Sequence, residues 1–419
     1  MTSAQVWIAA LMCAFSVVNY FDRTILSVAA PLMMKEFSLS PTSMGTVFSA
    51  FLISYTILMT PGGRWSDRFG PRNMLAATAI GSGFFTALMC FGGVPGLGSL
   101  IGVIPSLFVI RLGFGVFTAP LYPAGGRMNA ITMPPRQRTR IFGIVNAGAG
   151  FGGAVSPILF TAMIGRFGWR PSFVIAGVAA MLLGVLWLAT VPDHPVETRV
   201  VQRAPWGSLL GNPNLRWLIA GFAALDYYEY IFFYWLYYYL GEVRKLPAAD
   251  TAFYTTLPFL VWVIMMPLGG WLADHLAARH GIKLGLRWVA VGSLLISVAG
   301  LAAALNVSET NSLVALLSLA FGCAAVADVT FWAATVSVAG AQAGTAGGLM
   351  NTGGNFGGAI APALTPLIAS YYGWSAGLYV GGLVALLGVV AWLKIDASPP
   401  PSEPPPLVLV PVVAGTPGP

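Results

Sequence analysis

Two adjacent charges lie inside an apolar stretch of the chain, where charged side chains are rare. They are Asp22 and Arg23, in NYFDRTILSVAAP, residues 19–31. Polar residues recur around them every three or four positions: Ser16, Asn19, Tyr20, Arg23 and Ser27. At 3.6 residues per turn, this spacing places them on one face of a helix. Because an arginine can hold a carboxylate or a phosphate with two parallel hydrogen bonds, the stripe predicts an anion site. A structural ion pair is the alternative.

A second arginine and three further acids also lie in apolar stretches. Arg111 occurs in IRLGFGVFTAP, where a ligand role and a packing or gating role fit equally well. Asp226 and Glu229 share a helix face in LDYYEYIFFYWLYYYL, and Asp328 follows in ADVTFWAATV. Low dielectric and like charges disfavour four ionised carboxylates beside a bound anion. Either some acids, Asp22 included, carry protons when the substrate binds, which is proton coupling, or the cargo is not an anion.

The composition indicates an integral membrane protein, because the sequence is 57% hydrophobic and only 8% charged. A soluble domain carries about 25% charged residues. The net charge of +7 does not indicate a nucleic-acid partner, since the basic residues cluster in short connections between apolar runs. Walker, nucleophile-elbow, HExxH and paired CxxC motifs are absent from the sequence. We therefore predict no enzyme activity, no cofactor and no metal.

Twelve apolar stretches have about the 20 residues that a bilayer-spanning helix needs. The predicted spans, numbered 1 to 12, are residues 6–30, 43–62, 73–93, 101–122, 140–163, 171–191, 215–240, 251–273, 285–305, 312–336, 345–369 and 374–394. The fold class is therefore an all-α membrane protein of two six-helix bundles. The predicted domains are an N-terminal bundle over 1–191, a cytoplasmic linker over 192–214, a C-terminal bundle over 215–394 and a disordered Pro-rich cytoplasmic tail over 395–419.

The distribution of Lys and Arg predicts the orientation. With the N-terminus inside, fourteen basic residues fall in cytoplasmic connections and five in outer ones. Both termini are therefore expected in the cytoplasm, in a multi-pass protein of a bacterial inner membrane.

The two halves of the chain are related by an internal repeat. GIVNAGAGFGGAVSP, residues 143–157, aligns without gaps to GLMNTGGNFGGAIAP, residues 348–362, at an offset of 205. The same offset places Gly168 on Gly373. A duplicated six-helix unit is typical of secondary transporters, in which the substrate site lies at the midplane between the halves.

These motifs resemble the major facilitator superfamily over residues 6–394. GRWSDRFGPR, residues 63–72, is similar to that superfamily's connection between spans 2 and 3, with Pro71 in place of the usual basic residue. Arg111-x-Gly-x-Gly is similar to its span 4 motif. Residues 19–31, together with GLMNTGGNFGG in span 11, resemble the anion:cation symporter branch. That branch includes sialin, the vesicular glutamate transporters and bacterial sugar-acid transporters.

The resemblance implies a monomer that moves a small organic anion with protons by alternating access. On matching positions, Arg23 grips the substrate carboxylate and Asp22 takes part in proton coupling. The expected substrate-binding residues are Asn19, Tyr20, Arg23, Arg111, Trp332, Asn351 and Asn355. The signature between spans 2 and 3 implies a cytoplasmic gate of Asp67, Arg68 and Arg72.

One position departs from the branch, which commonly has an acid seven positions after the span 4 arginine. Here that residue is Thr118, which cannot titrate. Asp226, Glu229 and Asp328 are the candidates to replace the missing acid. The alternatives are an uncoupled facilitator or exchanger and a cation-handling carrier. A non-transporting receptor is a further alternative, but the folded output domain that it would need is missing from the sequence.

Overall fold

The computed structural model describes residues 1–92, 101–134, 137–193 and 206–398, which contain helices and no strand. The helices correspond to the twelve predicted spans and keep their numbers. Spans 1 to 6 are Ser3–Phe37, Pro41–Phe69, Pro71–Leu88, Val103–Thr118 continued by Leu121–Thr132, Arg138–Phe167 and Trp169–Thr190. Spans 7 to 12 are Pro213–Tyr238, Ala248–His280, Ile282–Leu305, Thr310–Ala339, Ala343–Tyr372 and Trp374–Lys394. Four short helical segments complete the described chain: Met89–Phe91, Trp206–Leu210, Tyr239–Val243 and Gly340–Gln342.

Ten of the described helices are long and apolar enough to cross a membrane by length and composition alone. The two long helices outside that set are span 7 and span 11. Span 7 carries two acids and a run of tyrosines, and span 11 is rich in glycine, which lowers the mean hydropathy of each. Spans 7 and 11 pack against each other, and their polar residues therefore lie inside the protein.

Capping residues explain where several spans begin. Thr2 and Gln5 form a capping box ahead of span 1, and the Ser40 hydroxyl accepts the Ser43 amide at the start of span 2. The Glu309 carboxylate accepts the Ser312 and Asn311 amides at the start of span 10. These hydrogen bonds lower the pKa of the exposed Glu309 carboxyl.

Tight glycine turns join the spans in the same pattern in both halves. Gly168, between spans 5 and 6, has φ 80° and ψ 164°, and Gly373, between spans 11 and 12, has φ 83° and ψ 162°. Gly70 and Gly281 make the corresponding turns after spans 2 and 8, with φ 82° and 84°. Only glycine adopts this backbone region readily. The repeat at an offset of 205 is therefore a repeat of turn geometry as well as of sequence.

The bundle of spans 1–6 meets the bundle of spans 7–12 through equivalent helix pairs. Span 2 packs on span 11 and span 5 on span 8, while span 1 contacts span 7 at the centre. Since span 2 corresponds to span 8 and span 5 to span 11, the first two contacts are related by the repeat. Phe48 of span 2 also stacks on Tyr234 of span 7, with ring centroids 4.9 Å apart. Gly150 of span 5 lies against Val263 of span 8.

An arginine fastens the last span of each bundle at the end of the molecule where span 1 begins and span 12 ends, called here the terminal end. In the N-terminal bundle, Arg72 donates to the Leu188 and Val191 carbonyls over 2.6 Å each. In the C-terminal bundle, Arg287 donates to the Ile395 carbonyl over 2.6 Å. A cation at a helix C-terminus satisfies free carbonyls and opposes the helix dipole.

The first residues after span 12, which the sequence assigns to a disordered tail, pack against the spans. Ile395 and Ala397 are each 1% exposed, because they pack under the ends of neighbouring spans. Asp396 pairs with Lys283 at 2.5 Å, and its amide donates to the Asn214 side chain over 2.9 Å. These contacts depend on partners that are distant in the sequence, such as Lys283 and Asn214, so the sequence pattern did not predict them. The prediction for residues 399–419 lies outside the described residues, as does that for linker residues 194–205.

Span 4 is longer than predicted and is interrupted once. The sequence placed its end at residue 122, but the helix resumes at Leu121 and continues to Thr132. Pro120 causes the break, since a proline has no amide to donate within a helix. Arg127 therefore lies on a helix at the terminal end, and not in a connection.

Candidate substrate site

The centre of the molecule is built around Arg23 of span 1, which is 4% exposed. Five aromatic rings surround its guanidinium, with centroids 4.9–5.9 Å from the Cζ atom. The rings belong to Tyr20, Phe51, Tyr55, Tyr230 and Phe233. Three come from spans 1 and 2 and two from span 7, so both bundles contribute. The ring faces stabilise a cation while leaving its N–H groups available for an anion.

A chain of hydrogen bonds leads from Arg23 into the other bundle. Arg23 Nη2 donates to the Tyr230 hydroxyl, which in turn donates to Asn355 Oδ1 over 2.8 Å. Asn355 Nδ2 donates to the Asn351 carbonyl over 2.9 Å, and Asn351 Nδ2 donates to the Met59 sulfur over 3.4 Å. The structure thus brings together Arg23, Asn351 and Asn355, which the sequence placed in spans 1 and 11.

Asp22 and Arg111 lie behind this site, within the N-terminal bundle. Asp22 is 1% exposed and accepts the Thr86 hydroxyl at Oδ2 over 3.1 Å, while its Oδ1 atom has no hydrogen-bond partner. Arg111 is also 1% exposed and donates to the backbone carbonyl of Arg23 over 3.3 Å. Its guanidinium lies over the Phe114 ring at 4.8 Å. Arg111 therefore supports the backbone of span 1, and it shares one ring of the cage, Phe51, whose centroid is 5.3 Å from its Cζ atom.

The residue that replaces the usual span 4 acid contacts span 1. Asn19 Nδ2 donates to Thr118 Oγ1 over 3.4 Å, and both side chains are buried. A neutral hydroxyl accepts this amide without placing another charge beside Asp22. Asn19 and Thr118 thus join spans 1 and 4 inside the N-terminal bundle.

Three acids form a cluster inside the C-terminal bundle. Asp226 and Asp328 are each 8% exposed and Glu229 is 6% exposed, and they lie close enough to repel one another. Trp262 Nε1 donates to Glu229 Oε1 over 3.3 Å, and Trp332 contacts Asp328. Within the described residues, none of the ion pairs includes a member of this acid cluster.

Trp332, which the resemblance places in the substrate cavity, belongs to the surroundings of the acid cluster. Its ring is 38% exposed and packs edge-on against Phe222 at 6.0 Å. Its described contacts are with Phe222, Gly347 and Asp328, and not with the cage around Arg23.

The three predicted gate residues lie at the terminal end, where each has a partner in its own bundle. Asp67 pairs with Arg127 of span 4. Arg68 lies over the Phe69 ring at 5.4 Å, and Arg72 fastens span 6 as described above. Their gating role stays a prediction.

Four of the residues that contact Arg23 were not predicted from the sequence. Phe51, Tyr55 and Phe233 were indistinguishable from other aromatic residues of apolar spans. Tyr230 is one of seven tyrosines in span 7 and its end, a pattern that also fits an interfacial belt. Its spacing of four from Asp226, which places both on one helix face, was the available signal.

Two six-helix bundles with a buried polar site at their interface define a membrane transport protein. Residues 12–282 and 276–414 match the Major Facilitator Superfamily. The chain belongs to this superfamily, which consists of transporters and not of enzymes, as the motifs predicted.

Two relatives and one solved structure illustrate the likeness. The chain is 30% identical to the hexuronate transporter of Bacillus subtilis (strain 168), over 90% of this chain and 92% of that protein. It is 30% identical to a "Probable sulfoacetate transporter" of Cupriavidus necator, over 94% and 93% of the two chains. A bacterial homologue of the human lysosomal transporter Spinster, in an inward-facing and occupied conformation, superposes with a TM-score of 0.81. At 16% identity over 94% of this chain and 97% of that one, the superposition shows the fold alone.

Proposed function

We propose that the protein is a secondary active transporter of a small organic acid anion, coupled to protons and working by alternating access. The observation that carries this proposal is the Arg23 guanidinium, which is buried between the two bundles and contacted by both. An ionisable group in the membrane interior is costly and is kept where it has a function. The names of the relatives, a hexuronate transporter and a "Probable sulfoacetate transporter", support an organic acid.

The site favours an anion with one carboxylate and several hydroxyls. Arg23 is surrounded by the five cage rings, whereas Arg111 contacts only one of them, Phe51, and donates to the backbone of span 1. The other polar groups nearby are neutral amides and phenols, among them Asn355, Asn351 and Tyr20. Such groups can donate to and accept from hydroxyls. A hydroxylated monocarboxylate therefore fits better than a dianion, which would bring one uncompensated charge into a buried site.

The acid cluster is the proposed place of proton coupling. Asp226, Glu229 and Asp328 cannot all ionise together in a low dielectric without a paired cation, so they are suited to take up protons. Asp226 also lies on the same face of span 7 as Tyr230 and packs against Gly354, the neighbour of Asn355. Protonation of the cluster would thus act on the helices that hold the anion site. Asp22 is the proposed second coupling group, because it is buried in span 1 next to Arg23 in sequence.

Uptake into proteoliposomes tests the function. The purified protein is reconstituted, and entry of radiolabelled D-glucuronate and of sulfoacetate is measured with an inward proton gradient, without it, and with a protonophore. The proposal expects D-glucuronate to accumulate only with the gradient and to be preferred over sulfoacetate. Liposomes with Arg23→Ala protein are the matched control. Entry of neither anion, with correctly folded protein, would contradict the proposal.

The same uptake experiment distinguishes two other transport modes from proton-coupled transport. Thr118 in place of the usual acid favours an uncoupled facilitator or exchanger, which would equilibrate the anion without a response to the gradient. The three clustered acids favour a cation-handling carrier, whose uptake would require a sodium gradient. Neither outcome would leave the proton-coupled mechanism standing.

The remaining expectations are part of the proposal. The protein functions as a monomer in a bacterial inner membrane, with both termini in the cytoplasm. Spans 1 and 6 are antiparallel, which places the start of span 1 and the end of span 6 at the same end: Trp7 contacts Thr190 there, and Glu36 contacts Trp169 at the other end. Protease accessibility of a C-terminal tag in right-side-out and inverted vesicles tests the orientation.

A further inference from the structure

The hydroxyl of Tyr230 occupies an unusual position between two partners that belong to different bundles. It accepts a hydrogen bond from Arg23 Nη2 of span 1 and donates one to Asn355 Oδ1 of span 11. The side chain is 7% exposed. A phenol that both accepts from a guanidinium and donates to an amide has its hydroxyl satisfied without any substrate group.

The ring of Tyr230 is held in this position by its neighbours. A Cβ atom at position 358 would lie 1.9 Å from Tyr230 Cδ2, so the ring rests where Gly358 leaves room for it. Tyr234 stacks on the ring with centroids 5.9 Å apart, and Phe233 packs on it at 5.7 Å. The phenol is therefore directed at Arg23 by packing as well as by hydrogen bonding.

The hydrogen bond to Tyr230 uses Nη2 of Arg23, a nitrogen that a bound carboxylate also uses. A carboxylate binds the guanidinium with two hydrogen bonds either through Nη1 and Nη2 or through Nη2 and Nε. Nη2 has two hydrogens, one for each arrangement, and one of them is donated to Tyr230. The Nε atom is buried and has no hydrogen-bond partner. A carboxylate that binds through the edge of the guanidinium taken by Tyr230 therefore competes with the phenol.

We propose that Tyr230 is a positioning residue that competes with the substrate carboxylate for Arg23. Because the Arg23–Tyr230 hydrogen bond joins the two bundles, anion binding at that edge of the guanidinium and this inter-bundle bond exclude each other. The anion thus releases span 7 from span 1 as it binds, which links occupancy of the site to movement of the bundles. This inference rests on the proposed function, in that Arg23 receives the anion.

The simplest alternative makes Tyr230 an ordinary ligand that adds a hydrogen bond to the bound anion. The two roles predict opposite signs for the removal of the hydroxyl. A competitor, once removed, leaves tighter anion binding, whereas a ligand, once removed, leaves weaker binding.

The first measurement is the affinity for D-glucuronate, by isothermal titration of the purified protein. Tyr230→Phe should lower Kd about tenfold, the scale of one hydrogen bond to a charged group. Tyr234→Phe is the matched control, since its hydroxyl is buried one turn away and has no hydrogen-bond partner. Its Kd should stay within about twofold of wild type. An unchanged or raised Kd for Tyr230→Phe would overturn the proposal.

The second measurement needs no anion. Spin labels at positions 35 and 372, exposed sites in different bundles at the end opposite the termini, report the distance between the bundles. Cys13, Cys90 and Cys323 are replaced by serine so that only the labels react. Tyr230→Phe should raise the population of the minor distance about tenfold, and Tyr234→Phe should not.

The two measurements separate the two hypotheses. If the wild type does not bind D-glucuronate, the proposed function loses support while the spin-label distances decide the role of Tyr230. If D-glucuronate binds but both variants match the wild type in Kd and in distance, the inference is wrong and the proposed function stands.

Discussion

The two bundles agree in packing and differ in charge. Both use glycine turns with φ near 80° and fasten their last span with an arginine. The charged residues in the middle of the N-terminal spans are Asp22, Arg23 and Arg111. Those in the middle of the C-terminal spans are Asp226, Glu229 and Asp328. The two halves therefore share their helices and contacts but not their buried charges: both arginines lie in the N-terminal half, and three of the four acids lie in the C-terminal half.

The largest effect should come from the N-terminal side of this division. Arg23→Ala removes the guanidinium of the ring cage, so D-glucuronate uptake should fall more than about 100-fold, as expected when several charge-assisted hydrogen bonds are lost. Arg23→Lys, which keeps the charge but not the two-donor geometry, should retain a measurable part. Size-exclusion profiles in detergent check that both variants fold. Uptake retained by Arg23→Ala would remove the substrate role from this bundle.

The acids of the C-terminal side should govern coupling and not binding. Asp226→Asn, Glu229→Gln and Asp328→Asn each remove a titratable group at nearly constant volume. Accumulation driven by a proton gradient should fall to the level without a gradient in at least one variant, while anion exchange stays within about twofold of wild type. Normal gradient-driven accumulation in all three would return the cluster to a structural role.

Asp22 tests how strictly substrate binding and proton coupling are divided between the two bundles. Asp22→Asn should weaken the response of uptake to the pH gradient while sparing exchange, and less strongly than the cluster variants, because it lies outside the acid cluster. The measurement is the ratio of uptake with and without the gradient. A complete loss of coupling in Asp22→Asn, beside normal cluster variants, would place the proton in the N-terminal bundle.

The packing symmetry can be tested by matched substitutions in the two halves. A methyl group at Gly168 or Gly373 meets no atom within 4 Å, so its cost is that of the backbone alone. Gly168→Ala and Gly373→Ala should each destabilise the protein by about 1–3 kcal/mol. Thermal unfolding in detergent should show similar shifts for the two. Clearly unequal shifts would show that the halves differ in stability as well as in charge.

The smallest expected effect is on stability, from the Lys283–Asp396 pair that holds the end of span 12. The hydrogen bond from Lys283 lowers the pKa of Asp396 to about 2, from an ordinary value of 3.8. Stability from this pair is therefore present above about pH 4 and lost as the pH falls towards 2. The pair is about half exposed, so Asp396→Asn should cost no more than about 1 kcal/mol at pH 7.

The N-terminal fastening supplies the control for that pH dependence. Arg72 binds carbonyls, which do not titrate, so the cost of Arg72→Gln should be the same across this range. The readout is the unfolding temperature against pH for both variants. A pH-independent cost of Asp396→Asn would show that the Lys283 pair contributes nothing to stability.

Much of the fold could be predicted from the sequence, because lipid imposes long apolar helices whose breaks are marked by proline, glycine and charge. The alignment of Gly168 with Gly373 correctly indicated equivalent turns. Helix ends were less predictable: span 8 extends to His280, seven residues past its predicted end, because polar helix turns outside the bilayer resemble connections.

The site could be predicted only where a residue is unusual for its surroundings. Arg23 is a charge among apolar residues, so its importance was visible. Tyr230 is one of several tyrosines in span 7, so its residue type did not mark it as unusual. Its role depends on the rotation of span 7 about its axis, and that rotation is set by the contact of Tyr230 with Gly358 of span 11. Such a contact joins positions 128 residues apart, and a single sequence carries no record of it.

The hydrogen-bond chain from Arg23 to Met59 has a fixed direction, and its links are unequal in strength. It begins at a permanent cation that can only donate and ends at a thioether, the weakest acceptor in the chain. It crosses between the bundles twice, first at Arg23–Tyr230 and again at Asn351–Met59. The second crossing therefore costs least to break, so without a bound anion the chain would part at Asn351–Met59 before it parts at Arg23–Tyr230.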